Sequence, residues 1–242
     1  MNIAIIGYGK MGKEIEKIAL ERGHTVSLKI SSKNTEELNA SNLETIDVAI
    51  EFTNPVLAVN NIKQCAIGNT PVVVGTTGWY ADFENVKNNI SEHNGALLCA
   101  TNCSIGVNLF FQLNKQLAQI MNKHKEYKVS MEETHHTQKL DSPSGTAITL
   151  AEGILENNDK LNAWTEDSNQ ASNELPITAH RIENVPGTHQ INYASEIDAI
   201  EIKHTAHNRK GFAMGAVIAA EFIKDKKGIF TMEDVLFNSK TR

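Results

Sequence analysis

The chain opens Met1-Asn2-Ile3-Ala4-Ile5-Ile6-Gly7-Tyr8-Gly9-Lys10-Met11-Gly12, and this segment restricts the possible folds more than any other. Ile3 to Ile6 is an unbroken apolar run, the pattern of a parallel strand covered on both faces. Gly7, Gly9 and Gly12 follow at once with the spacing G-x-G-x-x-G. Met11, Ile15, Ile18 and Ala19 then recur at helical spacing, and Arg22-Gly23 supplies a basic last turn and a C-cap. Strand, glycine turn and helix in this order form a dinucleotide-binding fingerprint. Its glycines permit a tight turn, close approach of a pyrophosphate, and packing of helix on strand. The expected cofactor-binding residues here are Gly7, Tyr8, Gly9, Lys10, Met11 and Gly12. A glycine-rich turn without a ligand is the plain alternative, and its place between a strand and a helix argues against it.

Val26, Leu28 and Ile30 alternate like a second strand. In NAD-preferring proteins an acidic residue ends this strand and bonds the ribose hydroxyls. Here the chain reads Lys29-Ile30-Ser31-Ser32-Lys33, with no acid. Hydroxyls and ammonium groups suit an added 2′-phosphate, so Lys29 and Ser31 are expected to bind cofactor, with NADPH preferred or NADPH and NADH both used.

Apolar runs and helical patterns continue to alternate: strand-like segments at 47–52, 71–74 and 96–100, and helices opened by Pro55 and carrying Phe83, Val86 and Ile90. This alternation predicts an α/β fold with a doubly wound parallel sheet, a Rossmann-type domain. Ligands of such sheets lie beyond the carboxyl ends of the strands. Gly75, Thr76 and Thr77 stand at one such end, and Ala100, Thr101, Asn102 and Cys103 at another, so both are expected to face the nicotinamide end of the cofactor. A helix over 105–121 leads away from this domain. Beyond it, strand patterns at 127–135, 177–182, 190–193 and 199–204 predict a second, α+β domain built on an open mixed sheet. The polar stretch 157–173 reads as a mobile loop. Apolar residues on these strands exceed what one helix can bury, so the outer face of the sheet is expected to be covered by another subunit. A last helix after Arg209 returns to the first sheet. The expected domains are 1–104, completed by a C-terminal helix in 209–242, and 105–208.

Residues 133–147 carry the chemistry: Glu133-Thr-His135-His136-Thr-Gln-Lys139-Leu-Asp-Ser-Pro143-Ser144-Gly145-Thr146-Ala147. Two histidines and a lysine, all able to carry protons, precede a turn that should open a helix. A helix start offers unpaired N–H groups and a partial positive charge, a seat for a carboxylate. This pattern points to an enzyme acting on a small acidic molecule. Zinc held by His135, His136 and His189 is disfavoured, because adjacent strand residues point to opposite faces and no Cys or Asp stands at metal spacing. The expectation is no metal. Net charge is −6 with no long basic run, which argues against nucleic acid and anionic membranes as partners. No apolar run approaches the ~20 residues that span a bilayer. Cys65, Cys99 and Cys103 form no C-x-x-C pair and read as reduced thiols of a cytoplasmic protein.

The sequence resembles the dihydrodipicolinate reductase family nearly end to end. The likeness runs through Gly7 to Gly12, Val74-Gly75-Thr76-Thr77-Gly78, Asn102-x-Ser104-x-Gly106-Val107-Asn108 and the 133–147 block. It continues with Arg181, Gly187-x-His189 and His204-x-Ala206-x-x-Arg209-x-x-Phe212-Ala213-x-Gly215-Ala216. Thr101 and Cys103 stand where Pro and Phe are more familiar in the family, and the glycine loop is one residue shorter than in some members. The resemblance implies a bidomain, usually tetrameric enzyme in which NAD(P)H reduces a cyclic conjugated imine bearing two carboxylates. It further implies His135 as proton donor or acceptor, Lys139 as proton donor, His136 as a substrate-binding residue, and Gly145 with Thr146 as the carboxylate seat. A cationic neighbour and desolvation would adapt Lys139 to act as an acid. A different nicotinamide-dependent dehydrogenase of a small amino or carboxylic acid, and a non-catalytic dinucleotide-sensing protein, are the rival readings.

Overall fold

The structure is a computed structural model, and it describes residues 1–167 and 171–237. The chain divides into two compact units, one formed by Met1–Ile105 with the segment from Arg209 onward, the other by Gly106–Asn208.

In the first unit six strands lie parallel. They are β1 (Asn2–Ile6), β2 (Thr25–Ile30), β3 (Val48–Glu51), β4 (Val72–Val74), β5 (Ala96–Cys99) and β11 (Gly228–Phe230), ordered β11-β5-β4-β3-β1-β2. The unbroken apolar run of β1 follows from burial on both sides. Ile3 and Ile5 pack with α1 (Lys10–Glu21) and α7 (Lys210–Ile223), while Ala4 and Ile6 pack with α3 (Pro55–Ile67) and α4 (Phe83–Glu92). All four side chains are fully buried, and burying an Ile contributes roughly 1.5–3 kcal/mol. A short helix α2 (Ala40–Leu43) lies between β2 and β3. The order reverses between β1 and β3, the point at which doubly wound sheets bind ligands.

The second unit carries α5 (Ile105–Met121), β6 (Lys128–His135), α6 (Gly145–Leu155), β7 (Ala163–Thr165), β8 (Glu174–Arg181), β9 (Gly187–Ala194) and β10 (Ala199–Ala206). The five strands form an open mixed sheet ordered β10-β9-β6-β8-β7, with β6, β7 and β8 parallel and β9 antiparallel to its neighbours. Met131, Ile177, Ile191 and Tyr193 point to one face, where they join Phe110, Ala118, Leu150 and Ile154 of α5 and α6 in a single core.

Three expectations need correction. Two helices cover the second sheet, so its apolar residues are used up on one face. The other face is polar, with Ser130, Glu132, Thr178, Thr188, Gln190 and Asn192, and offers no apolar excess to a partner. The stretch 157–173 is not wholly irregular, because Ala163–Thr165 pairs with β8; residues 168–170 lie outside the described set. The segment after Arg209 is more than a helix, since β11 adds an edge strand and α8 (Met232–Leu236) follows; residues 238–242 lie outside the described set.

Candidate active site

The glycine turn after β1 is built by contact. A Cβ on Gly7 would sit 2.0 Å from the Phe52 carbonyl oxygen, and Gly7 adopts φ 100°. A Cβ on Gly12 would sit 2.5 Å from the Gly7 carbonyl oxygen. Gly9 meets nothing within 4 Å, so the backbone there borders open space. The α1 N-terminus has no side-chain cap and no acid in its first turn, which leaves its N–H groups and dipole for an anion. Lys10 is exposed at the first position of α1, Tyr8 is half-buried beside the turn, and Met11 packs against the core. This geometry fits a pyrophosphate at the turn.

Beside it opens a cavity of about 650 Å³, lined by Gly7, Tyr8, Gly9, Ser31, Ser32, Phe52, Thr53 and the amides of Asn54, Asn60, Asn61 and Gln64 among others. No charged side chain lines it among the described residues. Glu51, fully buried at the end of β3, lies behind two of the lining residues, Thr53 and Asn61. It accepts hydrogen bonds from the Thr53 hydroxyl, from Thr53 N–H at 3.1 Å and from Asn61 at 3.3 Å. Burial pushes its carboxyl above the usual range, while those donors and Thr76 pull it back.

Several expected cofactor contacts are spent on the protein itself. The Lys29 ammonium pairs with Glu16, which also accepts from the Tyr8 hydroxyl, so Lys29 is not free to meet a phosphate unless that pair opens. Thr76 is 7% exposed and its hydroxyl accepts from Thr53 N–H at 2.8 Å, whereas Thr77 is exposed. Ala100 and Cys103 belong to the core, so only their backbone can serve a ligand. Burial pushes the Cys103 thiol up to about 12. Thr101 is exposed, and Asn102 accepts from Ser104 N–H at 2.8 Å. A Cβ on Gly75 would overlap the Phe52 ring at 2.1 Å. Ser31 is half-buried at the cavity, with its N–H and hydroxyl both bonded to Asn34.

In the second unit β6 delivers Glu133 and His135 to the same face, because strand side chains alternate with period 2. Both are buried, at 1% and 7% exposure. His189 reaches them from β9, with the two imidazoles 5.1 Å apart and edge-to-face. One Glu133 oxygen accepts from Ser144 N–H at 3.0 Å and from Arg181 Nη2 at 3.2 Å. The other lies 3.2 Å from His135 Nδ1 and 3.7 Å from His189 Nε2. The Ser144 hydroxyl caps α6 by accepting from Ala147 N–H at 3.2 Å, and meets His189 Nε2 at 3.2 Å. Burial is the largest influence on Glu133 and raises it, but His135 and Ser144 together bring its carboxyl down to about 2. Burial, then the charge on His135, pushes His189 down to about 3.

Gly145 is exposed at the first position of α6, Thr146 follows it half-buried, and no acid stands in that turn. Lys139 sits in the loop before α6, its ammonium 2.8 Å from both Asp141 oxygens. The cationic neighbour expected for it is an anion instead. Arg181 ties this loop to the buried carboxylate, since Nη2 also donates to the Asp141 carbonyl at 2.7 Å. His136 stands just past β6, outside the Glu133 group, with Nδ1 buried and without a hydrogen bond. Three ligand atoms, from Glu133, His135 and His189, lie within 4.8 Å of one another, a spacing that could hold a metal ion. The histidine trio weighed and disfavoured as a zinc site in the sequence is not the group that meets here, since Glu133 and not His136 stands with His135 and His189.

Glu133 and Arg181 were not singled out from the sequence. For Glu133 the signal was there: an acid two positions before a histidine on a strand shares its face. Arg181 and His189 join the site only through pairing of β8 and β9 with β6, which local sequence does not display.

Models of the dihydrodipicolinate reductase N-terminus and C-terminus match residues 1–103 and 106–236. The chain belongs to the dihydrodipicolinate reductase family. Within the family it is 52% identical to a 4-hydroxy-tetrahydrodipicolinate reductase of Christiangramia forsetii over 98% of both chains. It is 34% identical to one of Alkaliphilus oremlandii, over 78% of this chain and 80% of the relative. A dipicolinate-bound dihydrodipicolinate reductase from Paenisporosarcina sp. TG-14 shares the fold with a TM-score of 0.78, at 21% identity over 98% and 99% of the two chains. A dihydrodipicolinate reductase is an oxidoreductase that uses a reduced nicotinamide dinucleotide, NAD(P)H, which fits the glycine turn described above. Membership disfavours the sensor and the other-dehydrogenase readings. No helix among the described residues is long and apolar enough to cross a membrane.

Proposed function

We propose that this chain reduces 4-hydroxy-tetrahydrodipicolinate, the substrate named for its relatives, in the diaminopimelate route of lysine biosynthesis. The observation that carries this reading is a buried histidine paired with Glu133, whose other oxygen accepts from the Ser144 N–H at the start of α6. The bound cofactor supplies the hydride. The residues of this chain then bind a diacid and deliver a proton. His135 is the proton-transfer group, since an imidazole is the side chain best suited to take up and release a proton near neutrality. Lys139 is a second donor and must leave Asp141 to act, and exchange of that carboxylate for a substrate carboxylate is a natural trigger. Gly145 and Thr146 seat one carboxylate through backbone N–H groups, with His136 as a further contact. The dipicolinate bound by the Paenisporosarcina relative, a ring with two carboxylates, has the charge pattern this seat suits.

The cavity beside the glycine turn holds neither an acid to repel a 2′-phosphate nor a cation to demand one. Dual use of NADPH and NADH follows, with Lys33 at the exposed turn favouring NADPH modestly. We further place the enzyme in the cytoplasm as a homotetramer, acting without a metal. The Glu133 group needs none, because Arg181 already balances its carboxylate.

Turnover tests the reading directly. Substrate made in situ from pyruvate and aspartate semialdehyde by the preceding synthase should oxidise NADPH, and NADH at a comparable rate, only when the synthase is present. His135→Ala and Lys139→Ala should each lower kcat by ~100-fold or more, the usual scale of general-acid catalysis. Turnover of either variant within about threefold of wild type would overturn the assignment.

A further inference from the structure

We infer that Glu133 is the positioning residue of the proton-transfer step, holding His135 by its Nδ1 so that Nε2 faces the reacting molecule. The inference deepens the reductase reading above and rests on it. Glu133 is an acid buried to 1% exposure, where an unpaired charge would cost several kcal/mol. The fold keeps it there by committing one oxygen to Ser144 N–H and Arg181, and leaving the other to the two histidines. The His135 Nδ1 separation of 3.2 Å is within ion-pair distance, but the atoms are not aligned for a linear hydrogen bond. A small ring rotation at this separation completes the bond.

The surroundings make this assignment specific. Nδ1 of His135 is fully buried, so it is not the nitrogen that meets substrate. Gly187 lies against the opposite edge of the ring, where a Cβ would stand 3.0 Å from Nε2, so the ring is confined between β9 and Glu133. Charged and titratable groups surround His135 and its neighbour His189: Glu133 on the same strand, Arg181 opposite His135 on β8, and His189 on β9, with His204 on β10 and Lys139 in the following loop acting on His189 and Asp141 paired with Lys139. Of these, only Glu133 and Asp141 are anions. Asp141 is exposed and engaged by Lys139, which leaves Glu133 as the one buried negative charge beside His135 among the described residues.

The test uses the full chain carrying Glu133→Gln, which keeps shape and hydrogen-bonding capacity but removes the charge. An opposite charge at this range favours the protonated imidazole, so its loss should move the alkaline limb of the kcat–pH profile down by about one unit or more. At neutral pH kcat should fall at least about tenfold, with KM within about threefold. Nitrogen-15 NMR of the histidine-labelled protein should show the His135 titration moving down in step, and at high pH a loss of preference for Nδ1–H over Nε2–H. An unmoved pH limb together with an unmoved titration overturns the inference. Should Glu133→Gln fail to fold, Glu133→Asp retains a charge for Arg181 while withdrawing it from Nδ1. A smaller shift of the same sign is then expected, and none sinks the idea. The NMR titration needs no turnover, so a protein without reductase activity would refute the proposed function and still decide the role of Glu133.

Discussion

His189 shows how a buried residue at the edge of the site couples stability to pH. Its imidazole is 4% exposed and pushed down to about 3, by burial first and the charge on His135 second. The folded protein therefore keeps it neutral while the unfolded chain takes up a proton below ~6.5. A base whose folded pKa is depressed costs stability as pH falls from the unfolded value towards the folded one. Between pH 7 and pH 5 this residue alone should remove about 2 kcal/mol. Urea denaturation followed by Trp164 fluorescence in a Trp79→Phe background reports on the unit that holds His189. His189→Gln should flatten the pH dependence by that amount, and an unchanged slope would show that His189 is charged in the fold. The same residue marks the boundary of what could be read beforehand. His135, Lys139 and Gly145 share one short segment, so their chemistry is visible in sequence. His189 and Arg181 arrive from strands paired in space, and the ammonium of Lys29 is claimed by Glu16, which no spacing rule announces.

Elements are legible in proportion to their length and burial. β1, β3 and β4 show as continuous apolar runs because both their faces are covered, and α5 shows across its full length because its apolar face repeats. β7 and β11 have three residues each, too few for a period, and they sit at sheet edges where half their surroundings are solvent or loop. α8 is also short, and its signal is a capping box of Thr231 and Asp234 rather than a hydrophobic stripe. The close fit of α7 is a further feature that only packing reveals. A Cβ on Gly215 would stand 1.7 Å from the Cys103 carbonyl oxygen, so the helix lies directly on the backbone that follows β5. Neither side can yield cheaply, because the obstacle is main chain. Gly215→Ala should destabilise the first unit by about 1–3 kcal/mol despite the better helix propensity of Ala. It should also weaken dinucleotide binding, since Thr101 and Asn102 ride on the same segment. A denaturation midpoint and cofactor affinity equal to wild type would show that α7 can shift without cost.

At the scale of the whole molecule, the open question is what the second face of the mixed sheet is for. The expectation of an apolar excess does not hold, because α5 and α6 absorb the apolar residues and the opposite face is polar. Polarity alone does not exclude association, since protein interfaces are about as polar as other surface and differ in being depleted of charge at their centre. The middle of this face is uncharged apart from Glu132, which stands on β6 between Ser130 and Thr134 and opposite Gln190. Ser130 and Asn192 stand directly opposite each other on β6 and β9, Thr134 pairs with Thr188, and Glu201 lies on the edge strand, where it accepts from Gln190 at 2.9 Å. A homotetramer formed through this face should show a solution mass about four times the 26.7 kDa of the chain in light scattering. Ser130→Lys with Asn192→Lys puts two like charges side by side. On a solvated face each substitution costs within about 0.5 kcal/mol, whereas in an interface the pair must be buried against its own copies. The double variant should therefore fall apart into smaller species while keeping the far-ultraviolet circular dichroism of the wild type. A wild-type chain that runs as a monomer at micromolar concentration, or a double variant that stays tetrameric, would remove this face from the assembly.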